Sequence, residues 1–326
     1  MNIMTFRKRI TAQLPPLIKQ PKIYTIRKHN RCHYSSEISY NPDTQTKPWN
    51  SERNLLESKQ DTPALVYSLN DFEIIKCISK SKGGSVLMTS LNHRNYALKV
   101  IHKKLSKYAL AEARILDKIS SHLIVKYFGR FEDEENIYLV LEFINGCDFF
   151  HYMSKKRLKL PEIVNFAAQV LTAIELIHSK GIIYRDLKPE NIMLPESGYI
   201  KLIDFGLSKE IGNERTNTVC GSPEYMAPEV IRKNSYSYAV DFWGLGILLF
   251  EMLCGHPPFQ GENYQEICQN ILMGSFEFTR SVDPVSKDLV RRLLNNEPSY
   301  RLGNLQGKAT DVKKHKFFRD IIWDFF

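Results

Sequence analysis

The chain has 326 residues, 43% of them hydrophobic, and a formal net charge of +9. That length suffices for one large domain or two lobes around a buried core. The charge is uneven, with 11 Lys and Arg against 5 Asp and Glu in residues 1–70 and 34 against 31 in the rest, so most of the basic excess belongs to an N-terminal extension and does not argue for a nucleic-acid-binding fold; no nucleic-acid partner is expected.

Six cysteines are scattered without a CxxC pair or a zinc-spaced His/Cys cluster. This usage fits a reduced compartment, the cytoplasm or the nucleus, rather than secretion. No stretch approaches the ~20 apolar residues of a membrane span.

In residues 1–70, Pro15, Pro16, Pro21, Pro42, Pro48 and Pro63 interrupt any helix. No acidic residue precedes Glu37, whereas Arg7, Lys8, Arg9, Lys19, Lys22, Arg27, Lys28 and Arg31 do. Three readings stand: a plain disordered tail, an organelle transit peptide, or a segment (residues 1–36) that docks on an anionic membrane surface or a partner. The prolines work against the amphipathic helix a transit peptide needs.

From Phe72 the pattern changes to short apolar runs. Phe72–Ile78, Val86–Thr89 and Tyr96–Val100 are predicted strands, separated by Ser/Lys/Gly and Asn/His/Arg turns. Lys99 ends the third run, where it can reach nucleotide phosphates, and Glu112 in the following helix can brace it. Ile137–Leu141 is a further strand. Glu142-Phe143-Ile144 then leads into Asn145-Gly146, read as a hinge whose backbone would bond adenine. Pro161 to His178 has helical spacing, with Ile163, Phe166, Ala167, Val170, Ile174 and Ile177 on one face. Phe242 to Cys254 reads as a buried helix.

The run Tyr184-Arg185-Asp186-Leu187-Lys188-Pro189-Glu190-Asn191 is followed, 18 residues after Asp186, by Asp204-Phe205-Gly206. These are the parts for phosphoryl transfer. Asp186 can accept the proton of an attacking hydroxyl, Asn191 and Asp204 can hold Mg²⁺, and Lys188 can stabilise the moving charge. A solvated charged loop would not reproduce both motifs at this spacing. Ala227-Pro228-Glu229 closes the segment after Asp204, and its Glu229 expects Arg301 as partner. Asp241 is expected to bond the catalytic-loop backbone.

With these motifs, residues from about Phe72 to Trp323 resemble an AGC-group Ser/Thr protein kinase, similar to the catalytic domains of cAMP- and cGMP-dependent kinases. Tyr184, the run Cys220-Gly221-Ser222-Pro223-Glu224-Tyr225, and Arg301-Leu302-Gly303-Asn304 followed by His315-Lys316-Phe317-Phe318 carry the resemblance. It implies a bilobal α+β fold: a small antiparallel-sheet lobe with one helix (71–143) and a larger helical lobe (144–326). It implies ATP and Mg²⁺ as cofactors. Ile78, Ser79, Gly83, Gly84, Val86, Ala97, Lys99, Glu142, Ile144 and Asp148 would bind ATP.

Thr218 matches the family's activation-loop phosphosite, with Arg185 and Lys209 as phosphate ligands. The third ligand position is Tyr108. Asp148, Glu190, Glu251 and Ser222 would bind a protein substrate with basic residues N-terminal to its target. Asp148 serves equally for the ribose, and Glu251 has a structural alternative. A regulatory subunit or an upstream kinase would act in trans.

Two departures bear on activity. The phosphate-covering loop reads Ser79-Lys80-Ser81-Lys82-Gly83-Gly84, with only the last glycine in register. Serine there makes the cradle stiffer or looser, and Lys80 and Lys82 offer charge in compensation. The sequence also stops at Phe326, where the group continues into a tail; Trp323 is read as the last packing residue of the large lobe. These departures keep open an alternative, a pseudokinase that binds and scaffolds with weak or no transfer.

Overall fold

The computed structural model describes residues 67–81 and 83–326. The expectations for residues 1–66 and for Lys82 lie outside the described residues.

The small lobe is a five-stranded antiparallel sheet in the order β1-β2-β3-β5-β4. Its strands are β1 (Glu73–Ser81), β2 (Gly84–Leu91), β3 (Arg94–His102), β4 (Tyr127–Glu132) and β5 (Asn136–Glu142). One face is closed by aromatics. Phe72 stacks on Phe131 at 5.7 Å, and Phe131 on Tyr138 at 4.7 Å. Tyr67 adds a ring 5.7 Å from Phe72, so packing starts ahead of the expected boundary at residue 71.

Helix α1 (Ser106–Asp117) covers the other face. Only a 3₁₀ turn, Lys103–Leu105, separates it from β3. Ala109, Glu112, Ala113 and Leu116 are buried in an i, i+3, i+4, i+7 stripe, with Ile115 buried beside it.

The large lobe is helical: α2 (Phe149–Lys155), α3 (Leu160–Ser179), α4 (Pro228–Ile231), α5 (Ala239–Cys254), α6 (Tyr264–Met273), α7 (Pro284–Leu293) and α8 (Ala309–Lys313). Every residue of α5 is buried, which explains its largely apolar sequence, broken only by Asp241 and Glu251. Helix α3 is long and apolar enough to cross a membrane, but its buried face holds the large-lobe core. Pro161 and Glu162 start it; the Glu162 carboxylate accepts from Lys159 N at 2.9 Å. Other helices open on side-chain caps. Asn263 accepts from Glu266 N, and Asp283 from Val285 N and Ser286 N. Packing continues past Trp323 to the last residue, as Trp323 meets Phe318 at 5.3 Å and Phe326 at 6.5 Å.

Short strands set the catalytic loop: β6 (Gly146–Asp148), β7 (Ile182–Ile183), β8 (Ile192–Pro195), β9 (Lys201–Leu202) and β10 (Lys209–Glu210). The order β6-β8-β9 forms one sheet, and β10 pairs β7. The lobes meet at β9. Leu202 donates its N–H to Leu123 O at 2.8 Å and accepts from Val125 N at 3.0 Å. Lys201 Nζ lies 3.0 Å from Glu142 Oε2, at the end of β5.

Candidate active site

The site forms where β3 and α1 of the small lobe face the β7–β8 and β9–β10 connections. Cross-strand pairing opposes Val86 to Lys99 and Ala97 to Leu141. Lys99 Nζ donates to both Glu112 oxygens, at 2.6 and 2.8 Å, and to Asp204 Oδ1 at 2.8 Å. The three thus share one cluster.

Burial opposes the lysine charge, but Glu112 and then Asp204 outweigh it and hold Lys99 above the usual lysine range. Burial raises Glu112, with Lys99 offsetting part of the effect. Burial also opposes the Asp204 charge, but Lys99 overrides it and holds that carboxyl below its ordinary value. Gly206 makes room for the cluster, since a Cβ there would sit 3.1 Å from Asp204 Oδ1 and 3.4 Å from Glu112 Oε2.

Asp186 is buried and held from four directions. Asn191 Nδ2 donates to its Oδ2 at 2.8 Å and to its backbone O at 2.9 Å. Lys188 Nζ lies 2.8 Å from Oδ2 and donates to Ser222 Oγ at 2.8 Å. Ser222 Oγ donates to Asp186 Oδ1 at 3.2 Å, and Ser222 N adds a bond at 3.3 Å.

Beneath them Asp241, almost fully buried, accepts from Tyr184 N (2.9 Å), Arg185 N (2.8 Å) and His178 Nε2 (2.7 Å). Sequence reading foresaw the backbone bonds but missed His178, whose only signal is its place at the end of α3. Arg185 and Asp204 both lie in left-handed backbone, at φ 71° and 59°. For residues carrying a Cβ this conformation costs about 1–2 kcal/mol, held here by the surrounding bonds.

Asn191 O accepts from Ile203 N at 2.9 Å, which sets Asn191 beside the residue preceding Asp204. Asn191 Oδ1 and Asp204 Oδ2 have no hydrogen-bond partner among the described residues. Two free oxygens suit a hard cation such as Mg²⁺, which keeps several waters and takes few protein ligands.

The phosphate-covering loop is a tight hairpin, with Ser79 opposite Val86 and Ser81 opposite Gly84. Ser81 Oγ donates to Gly84 O at 3.2 Å and accepts from Gly83 N at 3.3 Å. Of the two outcomes expected for serine here, the geometry favours stiffening. Gly84 is required by close approach, because a Cβ there would lie 1.9 Å from Val100 O. Ile78 is exposed at the cleft edge. At the hinge, the Glu142 side chain is taken up by Lys126 N at 3.2 Å and by Lys201. Ile144 N has no hydrogen-bond partner among the described residues.

The expected substrate residues gather differently. Asp148 caps α2, its Oδ1 accepting from His151 N at 2.7 Å, so half its carboxylate is committed. Local desolvation raises Glu190, with Asp186 and Asp148 adding to the effect and Lys188 opposing it. Glu251 is buried and accepts from the Tyr225 hydroxyl, the structural alternative left open for it.

Around Thr218, Lys209 Nζ donates to Thr216 Oγ1 at 2.9 Å rather than to Thr218. Arg185 donates to Leu207 O at 2.6 Å and to Tyr236 Oη at 3.2 Å. The unmodified Thr218 hydroxyl therefore hydrogen-bonds to neither cation; its partner is Thr216 Oγ1 at 3.3 Å. Tyr108 is exposed. Glu229 and Arg301 form a buried bidentate pair at 2.7 and 2.9 Å.

A Lys–Glu–Asp cluster facing a buried, restrained Asp186 across a bilobal cleft defines an ATP-dependent phosphotransferase. Residues 72–318 match the protein kinase domain, and the chain belongs to that family, with AGC-type features. It is 39% identical over 267 residues to cAMP-dependent protein kinase type 3 of Saccharomyces cerevisiae, covering 79% of this chain and 67% of that one. It is 40% identical over 268 residues to the human cAMP-dependent protein kinase catalytic subunit PRKX, covering 79% and 75%. A third relative is the Serine/threonine protein kinase ypkA of Aspergillus fumigatus, 42% identical over 268 residues, covering 78% and 42%.

Proposed function

We propose that this kinase transfers the γ-phosphoryl group of Mg-ATP to Ser or Thr hydroxyls preceded by basic residues. The observation that carries the reading is the restraint on Asp186. Its carboxylate is fixed by Asn191, Lys188 and Ser222, and its backbone by the bonds of Tyr184 and Arg185 to Asp241. Asp186 orients the substrate hydroxyl and takes its proton. Lys188, held 2.8 Å from the Asp186 carboxylate, would offset charge on the transferring group. Lys99, braced by Glu112, grips the α- and β-phosphates. Asn191 and Asp204 hold the metal, which neutralises charge on the phosphates when bound.

Substrate choice rests on Glu190 and the free oxygen of Asp148, since Glu251 is buried and taken up by the Tyr225 hydroxyl. Glu190 is exposed at the cleft, with local desolvation and the Asp186 and Asp148 charges pushing its carboxyl upward, and a guanidinium would relieve that unfavourable charge with directional bonds. Thr218 is the proposed regulatory phosphosite. It is exposed, and a phosphate there would draw Lys209 and Arg185 from their present oxygen partners. An upstream kinase or a regulatory subunit would act on that segment in trans, in the cytoplasm.

The test is transfer from Mg-ATP to an Arg-rich serine peptide, a matched tyrosine peptide and an Arg-free serine peptide, with Asp186→Asn as control. Transfer confined to the Arg-rich serine peptide and lost in the variant supports the proposal. Nucleotide binding without transfer, even after Thr218 is phosphorylated, supports the pseudokinase alternative, which the stiffened Ser81 hairpin favours.

A further inference from the structure

We infer that Lys118 and Glu210 form a strut that holds α1, and with it Glu112, against the activation segment. Given the roles proposed for Lys99 and Glu112, both are positioning residues for phosphoryl transfer. Lys118 Nζ donates to both oxygens of Glu210, at 2.7 Å each. Lys118 is the C-cap of α1, the helix that carries Glu112. A cation there lies at the favourable end of the helix dipole.

Glu210 is anchored at the other end. It belongs to β10, paired with β7 through Glu210 opposite Ile182 and Lys209 opposite Ile183. Ile182 and Ile183 are fully buried and run directly into Tyr184 and Asp186. The strut therefore joins the helix holding the Lys99 brace to β10, the strand paired with the one that leads into the catalytic loop.

Its position matters because, among the described residues, no ion pair ties the other end of α1 to the activation segment. Tyr108, one turn before Glu112, is 61% exposed and neutral. A phosphate on Thr218 would find no cation at that position. The Lys118 link, by contrast, is present with Thr218 unmodified. It is half-exposed, with partners 41% and 45% accessible, so its strength varies with ionic strength.

The experiment compares the full chain with Glu210→Lys, Lys118→Glu and the double charge swap. It measures kcat and KM for ATP at low salt and at about 0.5 M salt. Binding of a fluorescent ATP analogue is measured without turnover, and melting temperature controls for folding. Each single change is expected to lower kcat/KM for ATP about two- to fivefold at low salt, the range of an exposed ion pair. The swap should recover most of the loss, and high salt should bring the unaltered chain toward the single variants. Single variants matching the unaltered chain, or a swap no better than the worse single change, would overturn the strut. If the unaltered chain binds nucleotide but transfers nothing, the phosphotransfer reading fails instead. The strut is then judged on whether the single changes weaken analogue binding and the swap restores it.

Discussion

Changing Asp241 to Asn would separate the hold on the catalytic loop from the binding of nucleotide. Asp241 Oδ2 accepts from Tyr184 N and His178 Nε2, and Oδ1 from Arg185 N. An amide supplies only one acceptor oxygen. Placed at Oδ2, that oxygen keeps two partners and turns the NH₂ onto the Arg185 N–H. One charge-assisted bond is lost, worth about 1.5–3 kcal/mol, and two donors are left facing each other, for a cost of about 3 kcal/mol.

Arg185 lies in left-handed backbone, so losing its bond also frees strain beside Asp186. A displacement of about 1 Å at a reacting group costs about 10²-fold in rate. We expect kcat to fall about 100-fold on those grounds, with KM for ATP within about threefold because Lys99, Glu112 and Ile144 stand apart from the change. The melting temperature should fall by roughly 6–12 °C. Steady-state kinetics with thermal unfolding provide the assay. A folded variant retaining near-normal kcat would refute the reasoning.

The buried Glu229–Arg301 pair gives a stability prediction. Arg301→Gln leaves a carboxylate buried without its cation and should cost about 3–5 kcal/mol, read from the denaturant midpoint; a loss under about 1 kcal/mol would contradict the burial argument. Gly84→Ala puts a Cβ into Val100 O, so hairpin register and stability should both suffer, with a raised KM for ATP; unchanged nucleotide affinity would show that the hairpin yields freely. Glu190 titrates above an ordinary glutamate, through local desolvation and the Asp186 and Asp148 charges, although its side chain reaches solvent. KM for an Arg-rich peptide should therefore climb as pH falls, starting at a higher pH than an ordinary glutamate would give. Glu190→Gln should hold that KM high throughout and flatten the profile. Its folded value exceeds its unfolded one, so the folded chain binds this proton more tightly. Acidification through that range adds stability from this group, and chemical denaturation across pH checks the sign.

Much of this was legible because the chemistry is local in sequence. Tyr184 to Asn191 and Asp204 to Gly206 are short runs whose spacing implies their apposition. Apolar periodicity likewise placed α3 within a residue or two of its observed ends. What stayed hidden depends on distant partners. Lys118 and Glu210 are 92 residues apart and read separately as surface charges. His178 reads as the end of an amphipathic helix until α5 brings Asp241 to it. Gly84 invited a phosphate explanation, and only the β2–β3 approach reveals the steric one. Thr218 shows a different gap, since a motif marks where a phosphate would go but not which oxygens its cations meet beforehand.

The contacts at β9 have a mechanical consequence. Leu202 is bonded to residues 123 and 125, and Lys201 to Glu142. Two stretches of the small lobe are thus pinned to one short strand of the large lobe. Any opening of the cleft would then pivot near β9 and would have to part the Lys99–Asp204 and Lys118–Glu210 ion pairs, which also cross between the lobes. The β1–β2 hairpin with Ser79 and Ser81 lies on the small-lobe side of that pivot and would move with it. Nucleotide exchange would then depend on how readily those two ion pairs part, so it would quicken as salt rises.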